Sequence, residues 1–363
     1  MKKAVQKIMA VILTIGVCTI MMESGLRMMG VRPTNTTEGI AEQWDDSYRL
    51  KRNVSKDIHW PSFSYHIYTN AYGFRDARTG PRDLSEKPYY VFLGASDVFG
   101  NGVNYEDSFV GLFARQAAEN GIEVLNLAVG GHSLLDQELL LKQFMNEAPR
   151  RPSKVFYRIN ELVIANFDRR NNGIVVKDGH MFDKKGWFKA YVRVKVGEFF
   201  SSYCYFRDRV RWLQMRWSKR VRTEKSLAFV QVYSKKNGLA KNRERIWELE
   251  RHLDEFEQFC VKKGVDLVYF YLPVADSFRL NELLVECGES PDEYEADFYE
   301  KLLIEYCKRR NVQLINLRPV LKEHHDRGEQ LRFQLDAHYN KLAHAVIGNY
   351  IVDQTFSRPA TAR

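Results

Sequence analysis

The sequence predicts an α/β fold, a three-layer sandwich in which a central, mostly parallel sheet lies between helices. Short apolar, β-prone runs alternate with helical patterns from residue 89 onward, and this alternation favours parallel strands covered by helices on both faces. The chain has 363 residues, 45% hydrophobic and 28% charged, which is enough for a sizeable core and excludes a disordered polymer. Five scattered cysteines exclude a cysteine-based zinc ribbon and a disulfide-dense scaffold.

The first strands and helices of this pattern lie before residue 160. Tyr89–Leu93 is a short apolar run that ends at Gly94, which is typical of a buried strand. Ser133 is well placed to cap a helix that begins at the next residue. In chain order we predict strand 89–93, a helix from 109 to about 120, strand 122–129, helix 134–145 and strand 154–159.

The pattern resumes after an interruption at residues 163–240. In chain order we predict helix 243–263, strand 265–272, helix 294–309, strand 312–317 and helix 339–352. We therefore assign residues 89–355 to one domain that carries an insertion at 163–240. Residues 32–88 are polar and poor in periodicity, so we predict a linker that packs on this domain. Residues 1–31 form a cytoplasmic stub and a membrane anchor.

The anchor is predicted from fifteen uncharged residues, 8–22, that follow three lysines. Such a run is either a cleaved signal peptide or an uncleaved membrane helix. No small-residue cleavage pattern follows it, and with Ala4 and Val5 it reaches the roughly 20 residues that a bilayer needs. The lysines place the amino terminus in the cytoplasm. We expect a single-pass inner-membrane protein with its main domain on the periplasmic or extracytoplasmic side.

The formal net charge of +9 is concentrated in the insertion. Residues 165–240 contain 18 Lys and Arg against 6 Asp and Glu, interleaved with aromatic residues. In a cytosolic protein this composition would suggest RNA, but the predicted anchor argues against nucleic acid. Three interpretations stay open: an amphipathic helix around 203–221 on anionic headgroups, a basic cleft for an acidic polysaccharide, and a solvated basic helix.

Polar and small residues stand where the predicted strands end. Ser96 follows the first strand, Gly131 the second and Asn160 the third, whereas Asp336 and His338 directly precede the last helix. Carboxyl ends of parallel strands meet at one edge of a sheet, so we expect these residues to lie together. A serine hydroxyl needs an imidazole to take its proton. The set is therefore typical of nucleophilic catalysis.

The chain resembles the SGNH (GDSL-type) hydrolase family, in particular its membrane-anchored bacterial members, from about residue 70 to 351. Blocks at 93–103, 126–131, 160–161 and 336–344 carry the resemblance, and residues 69–75 resemble a segment that precedes the first block. It implies the flavodoxin-like fold of that family. The catalytic residues that it implies are Ser96, His338 and Asp336, with Ser96, Gly131 and Asn160 as the oxyanion hole.

Three positions depart from the family pattern. Ala95 stands where an Asp usually precedes the nucleophile, although Asp97 could replace that carboxylate. Arg158 stands where a Gly usually lies two residues before the third-block Asn. Asp336 precedes His338 by two residues, whereas many members have three.

The resemblance implies a serine esterase that removes O-acyl (acetyl) groups from a cell-surface carbohydrate. One alternative is an O-acyltransferase in which a sugar hydroxyl replaces water. Another is a catalytically silent scaffold or glycan-binding module, suggested by Ala95 and Arg158. The sequence has no metal-ligand spacing and no nucleotide fingerprint, so we expect neither metal nor cofactor. The expected partners are an acylated carbohydrate and the membrane, not nucleic acid.

Overall fold

An eight-stranded mixed sheet forms the centre of the computed structural model, which describes residues 2–33, 38–45, 47–60, 63–167, 173–217, 229–236, 243–334 and 336–357. The strands are β1 (Ala41–Trp44), β2 (Ser47–Leu50), β3 (Ser55–His59), β4 (Ser64–Thr69), β5 (Arg75–Asp76), β6 (Tyr89–Leu93), β7 (Glu123–Asn126), β8 (Lys154–Ile159), β9 (Ile174–Lys177), β10 (His180–Asp183), β11 (Asp266–Tyr271) and β12 (Gln313–Asn316). The sheet order is β12-β11-β8-β6-β7-β5-β4-β3, and β1–β2 and β9–β10 form separate hairpins.

The strand order identifies the fold class. Strands β12, β11, β8, β6 and β7 run parallel, whereas β5, β4 and β3 add antiparallel strands at the β7 edge. Numbered along the chain, the parallel strands stand in the order 2-1-3-4-5, which is the flavodoxin-like order. The predicted α/β class is therefore confirmed.

Helices cover both faces of the sheet. The helices, in chain order, are α1 (Lys2–Met28), α2 (Ser96–Phe99), α3 (Phe109–Glu119), α4 (Leu134–Glu147), α5 (Glu161–Ala165), α6 (Trp187–Phe199), α7 (Ser201–Trp217), α8 (Arg243–Lys263), α9 (Leu280–Cys287), α10 (Phe298–Arg310), α11 (Arg318–Asp326) and α12 (Lys341–Phe356), and those that follow the sheet strands supply the two layers. Phe156 of β8 packs on Phe113 of α3, with ring centroids 5.2 Å apart. The next residue, Tyr157, packs on Phe256 of α8 at 4.9 Å. Successive side chains of one strand thus face two helical layers.

Residues 32–88, predicted to be a linker, contain strands instead. Three of them, β3, β4 and β5, continue the central sheet, and Arg75 of β5 pairs with Asn126 of β7. In β4, Tyr65, Ile67 and Thr69 are buried on alternate positions. This period of two is a strand signal, but these strands are short and separated by polar turns, which hid the pattern.

Helix α1 matches the predicted anchor in position. Among the described residues it is the one helix long and apolar enough to cross a membrane, over Val5–Met28. Most of its side chains are exposed, whereas Leu26 near its carboxyl end is buried and Glu23 contacts the insertion. A membrane anchor and a signal sequence both meet this description.

The insertion has structure of its own. It contributes the β9–β10 hairpin and helices α6 and α7. The amphipathic helix predicted around 203–221 coincides with α7 as far as residue 217, and residues 218–221 lie outside the described part of the chain.

A buried arginine joins β5 to the loop that follows α2. Arg75 is 1% exposed, and its guanidinium donates to the carbonyls of Phe99 (2.5 Å), Gly100 (2.7 Å) and Val103 (2.5 Å). Burial lowers the pKa of Arg75 to about 10, so the group is still charged at neutral pH. A buried charge is tolerated when hydrogen bonds surround it, and here three carbonyls of one loop supply them.

The segment before Arg75 forms a turn that presents it. The Asn70 side-chain oxygen accepts from the backbone amides of Tyr72 (3.0 Å) and Phe74 (3.1 Å), and its amide nitrogen donates to Asp76 (3.0 Å). An asparagine that bonds its own downstream backbone in this way is a strong turn former. The segment at residues 69–75 therefore positions Arg75, and Arg75 in turn holds the loop after α2.

We predict that Arg75→Lys destabilises the protein, because an ammonium cannot span three carbonyls as the guanidinium does. The expected loss is about 3 kcal/mol, which corresponds to a fall of about 5 °C in the thermal midpoint of the full chain in detergent. The control is Arg78→Lys, an exposed arginine three residues away, which should leave the midpoint unchanged. Equal midpoints for the two variants would contradict the role of Arg75.

Candidate active site

The site lies where the order of the parallel strands reverses. Strand β6 is flanked by β7 and β8, so the chain leaves β6 in one direction along the sheet and later returns on its other side. Ligands of open α/β sheets bind in the crevice at this switch point, outside the carboxyl ends of the strands. Ser96 follows β6, Gly131 follows β7 and Asn160 follows β8. The fold therefore brings these three predicted residues to one edge.

Ser96 is the first residue of α2 and is partly buried. The backbone carbonyl of Ser96 accepts from the amides of Gly100 (3.1 Å) and Asn101 (3.0 Å). The Asn126 side chain donates to the carbonyl of Val98 (2.9 Å), which ties α2 to the end of β7. The turn that carries the serine is thus held by its own backbone and by the neighbouring strand.

Arg158, one departure from the family pattern, contacts the carboxylate that could replace the one missing at Ala95. Arg158 of β8 forms an ion pair with Asp97, the residue after Ser96, and both side chains are largely buried. Asp97 also accepts from the amide of Val98 (2.9 Å). Burial lowers the pKa of Arg158 to about 10, which leaves it charged at neutral pH. Asp97 therefore supplies a carboxylate that orders this turn, and Arg158 neutralises it.

The predicted acid and base are in direct contact. Nδ1 of His338 lies 2.5 Å from Oδ1 of Asp336, and the same oxygen accepts from the His338 backbone amide at 2.8 Å. The two side chains are 26% and 18% exposed, so solvent or a substrate reaches both. A spacing of two residues thus allows the carboxylate to orient the imidazole through Nδ1. Nε2 is then the ring nitrogen that can face a ligand.

The loop of His338 packs on the loop after Ser96. The amide of Phe333 donates to the carbonyl of His338 (3.2 Å), and a Cβ on Gly102 would collide with the Phe333 ring. Within the described residues, neither the Ser96 hydroxyl nor Nε2 of His338 makes a hydrogen bond. The structure therefore brings the two loops together without a direct serine–histidine bond. Catalytic hydrogen bonds of this kind often shorten only when substrate binds.

Asn160 is buried at the amino terminus of α5. Its side-chain oxygen caps the helix by accepting from the amide of Val163 (2.9 Å). This bond assigns the oxygen to the helix, and the NH₂ group makes no hydrogen bond within the described part of the chain. The donor end of the amide is therefore the end that can serve a ligand.

The glycine loop after β7 is braced by the amino-terminal hairpin. Gly131 has a φ of +81°, and a Cβ there would lie 2.7 Å from the hydroxyl of Tyr48. Tyr48 donates to the carbonyl of Gly130 (2.9 Å), and its neighbour Ser47 donates to Asp136 (2.9 Å) of α4. A Cβ on Gly130 would lie 3.9 Å from the Cβ of Ser96, so this loop forms a wall beside the serine.

A small pocket beside that wall contains a carboxylate that the sequence did not reveal. Its lining includes Glu38, Asn101, Gly130 and Gly179. Burial raises the pKa of Glu38, and the positive charges of His338, Arg75 and Lys56 oppose that rise. Glu38 lies in a polar stretch without a recognisable motif, so no sequence signal could have found it. Gly179 belongs to the turn of the β9–β10 hairpin, so the insertion borders the site.

No family model matches the sequence, and no curated protein matches it. Three solved structures illustrate the matches: a member of the lipolytic protein G-D-S-L family from Veillonella parvula (12% identity; 75% of this chain and 99% of that chain; TM-score 0.42), the psychrotrophic esterase EstA from Pseudoalteromonas sp. (11%; 73% and 94%; 0.37), and a catalytic mutant of an acetylxylan esterase from Geobacillus stearothermophilus (11%; 76% and 96%; 0.40).

These structural neighbours are hydrolases of the GDSL type or esterases by their names. Their TM-scores lie below 0.5, and their sequence identities lie far below 25%. The fold class therefore rests on the strand order of this chain, and the chemistry of the site rests on its own geometry.

Proposed function

We propose that this protein is a serine hydrolase of the SGNH type that acts on ester bonds, with Ser96 as the nucleophile. The observation that carries the proposal is the contact between Asp336 and His338, 2.5 Å, on a loop packed against the loop after Ser96. A carboxylate that holds one imidazole nitrogen fixes the tautomer in which the other nitrogen accepts a proton.

In the first half-reaction, the Ser96 oxygen attacks the ester carbonyl carbon and its proton moves to Nε2 of His338. Asp336 accepts the hydrogen bond from Nδ1–H and stabilises the imidazolium. The carbon–oxygen bond to the alcohol then breaks, and Nε2–H returns the proton to the departing alkoxide. An acyl-serine and a free alcohol result. In the second half-reaction, water replaces the alcohol and the same proton transfers run again, releasing the acid and free Ser96.

The oxyanion of each tetrahedral intermediate needs donors that are already aimed at it. We assign the backbone amides of Ser96 and Gly131 and the NH₂ group of Asn160 to this role. The helix cap that fixes the oxygen of Asn160 supports the assignment, because it leaves only the donor end for a ligand. One donor of this kind is typically worth about 3 kcal/mol in the transition state.

The pairing of Asp97 with Arg158 weakens the case for a silent scaffold. Ala95 and Arg158 suggested a damaged site when considered singly, whereas Asp97 supplies a carboxylate that forms a buried ion pair with Arg158 beside the nucleophile. An active enzyme is therefore the better account of the geometry.

For the substrate, we propose an O-acyl group, such as acetyl, on a cell-surface carbohydrate. Helix α1 supports this location, because three lysines precede its apolar span and orient the following domain away from the cytoplasm. The protein then stands in the inner membrane as a single-pass chain with its site in the extracytoplasmic compartment, where such carbohydrates lie.

An O-acyltransferase is the second candidate. The pocket next to Gly130 favours it, because Glu38 and Asn101 offer hydrogen-bond acceptors that could hold the hydroxyl of an acceptor sugar beside the acyl-serine. In that case a sugar oxygen, rather than water, attacks the acyl carbon and passes its proton to His338.

We predict that Asn160→Ala lowers kcat for a simple acetyl ester by about 100-fold with little change in KM, because this hydrogen bond strengthens mainly in the transition state. Asn160→Asp should lose as much activity while it keeps the helix cap, which separates a lost donor from a lost cap. Ser96→Ala should remove turnover altogether.

The matched control for that series is Asn166→Ala. Asn166 ends the same helix and donates to the carbonyl of Leu162 (2.8 Å), away from the strand ends. Its kcat should stay within about twofold of the parent value. Unimpaired turnover by Asn160→Ala would remove the oxyanion assignment.

A second prediction separates the two enzyme classes. When the full chain is supplied with an acetyl donor and sugar oligomers, we expect free acetate and no accumulating acetylated oligomer, because water reaches the partly exposed pair of Asp336 and His338. Mass spectrometry of the oligomers and an assay of acetate measure the partition, with Ser96→Ala as the background control. Acetylated oligomer formed without net hydrolysis would establish the transferase instead.

A further inference from the structure

The two helices of the insertion carry apolar residues that point to solvent. On α6 these are Phe188, Val192 and Phe199, which are between 43% and 67% exposed. At about 3.6 residues per turn, these positions fall within about 40° of one another. They form one stripe along the helix rather than three isolated exposures.

Helix α7 repeats this arrangement. Phe206, Val210 and Leu213 are between 44% and 52% exposed, and their spacing of four and then three residues puts them on one face. An exposed apolar stripe on each of two consecutive helices is unusual for a solvated surface, since large exposed apolar patches mark interaction sites. We call these six residues the insertion stripes.

Cations accompany the insertion stripes. Residues 187–217 contain seven Lys and Arg against two acidic residues. Lys189 and Arg193 of α6 and Arg209 of α7 are exposed. Apolar side chains that are bordered by lysine and arginine are the pattern of a helix lying in the interface of an anionic bilayer.

The carboxyl end of α1 is fixed to the junction of these helices. The Glu23 carboxylate accepts from the backbone amides of Ser201 and Ser202, both at 2.9 Å, and so caps the amino terminus of α7. Arg27 donates to the carbonyl of Phe199 (2.6 Å), the last residue of α6. The insertion stripes therefore begin where the apolar span of α1 ends.

We propose that α6 and α7 lie on the bilayer beside α1, with the insertion stripes among the upper acyl chains and the basic residues over anionic headgroups. The continuity with α1 favours a bilayer as the occupant of this surface over a second copy of the chain or water. The inference rests on the membrane anchoring in the proposed function, and it is independent of the ester chemistry.

This surface connects to the wall of the candidate active site. Glu198 of α6 lies 2.8 Å from His180 of the β9–β10 hairpin, and Lys195 of α6 lies 3.3 Å from Asp178 in the hairpin turn. Gly179 of that turn lines the pocket beside Gly130. Contact of the insertion with lipid would therefore hold the site at one height and orientation above the bilayer.

The test uses the full chain in lipid nanodiscs with one chain per disc. Cys18 and Cys287 are replaced by Ser, because the other three cysteines are buried. Nitroxide labels are placed singly at Phe188→Cys, Phe199→Cys and Phe206→Cys. The matched control is Trp247→Cys on α8, a position that is 62% exposed. Collision of each label with oxygen and with a water-soluble nickel chelate reports its depth.

We expect the three stripe labels to collide with the chelate at least about threefold less than the label at 247, and with oxygen more. The difference should grow when about one third of the phosphatidylcholine is replaced by phosphatidylglycerol. Equal chelate access at all four positions would overturn the proposal. Protection that appears only with two chains per disc would overturn it in favour of a second copy.

A label at Ile12→Cys in α1 separates this inference from the anchoring on which it rests. If the label at position 12 is immersed in lipid while the stripe labels are exposed to water, the insertion does not contact the bilayer, but the anchoring by α1 stands. Exposure of the label at position 12 refutes both the anchoring and the contact.

Discussion

The buried guanidinium of Arg75 is the interaction on which the candidate site depends most. It joins the antiparallel extension of the sheet to three carbonyls of the loop after α2, and that loop in turn supports Phe333 and the histidine loop. Separating the buried charge from its three acceptors is strongly unfavourable, so β5, the Ser96 turn and the His338 loop are held as one unit. The amino-terminal strands are therefore part of the machinery that positions the site.

Contacts within the structure also compensate for the residues that depart from the family pattern. No carboxylate directly precedes Ser96, but Asp97 places one directly after it, and Arg158 on the neighbouring strand balances the charge. The shortened spacing between Asp336 and His338 still closes a hydrogen bond, because one carboxylate oxygen accepts from both the ring and the backbone of His338. A carboxylate beside the serine and a carboxylate bonded to the histidine can therefore be placed by more than one sequence pattern.

The sequence predicted those strands and helices whose formation depends on their own hydrophobic periodicity and capping residues. Strand Lys154–Ile159 and helix Arg243–Lys263 have their predicted bounds, and Ser133 caps α4 as expected. The residues missed are those whose roles depend on distant partners. Arg75 acts on a loop more than 20 positions away, and Glu38 and Tyr48 reach the site only because the amino-terminal strands fold across it. The hydrophobic pattern of the residues next to them in the sequence gives no sign of such contacts.

We infer that Ser96 is a nucleophile activated by His338 at the switch point of a flavodoxin-like sheet. The most direct measurement is labelling of the full chain in detergent with a fluorophosphonate, followed by mass spectrometry of its peptides. We expect one adduct, on the peptide that contains Ser96, formed much more slowly in His338→Ala. A folded chain that forms no adduct, or that is labelled at another serine, would contradict it.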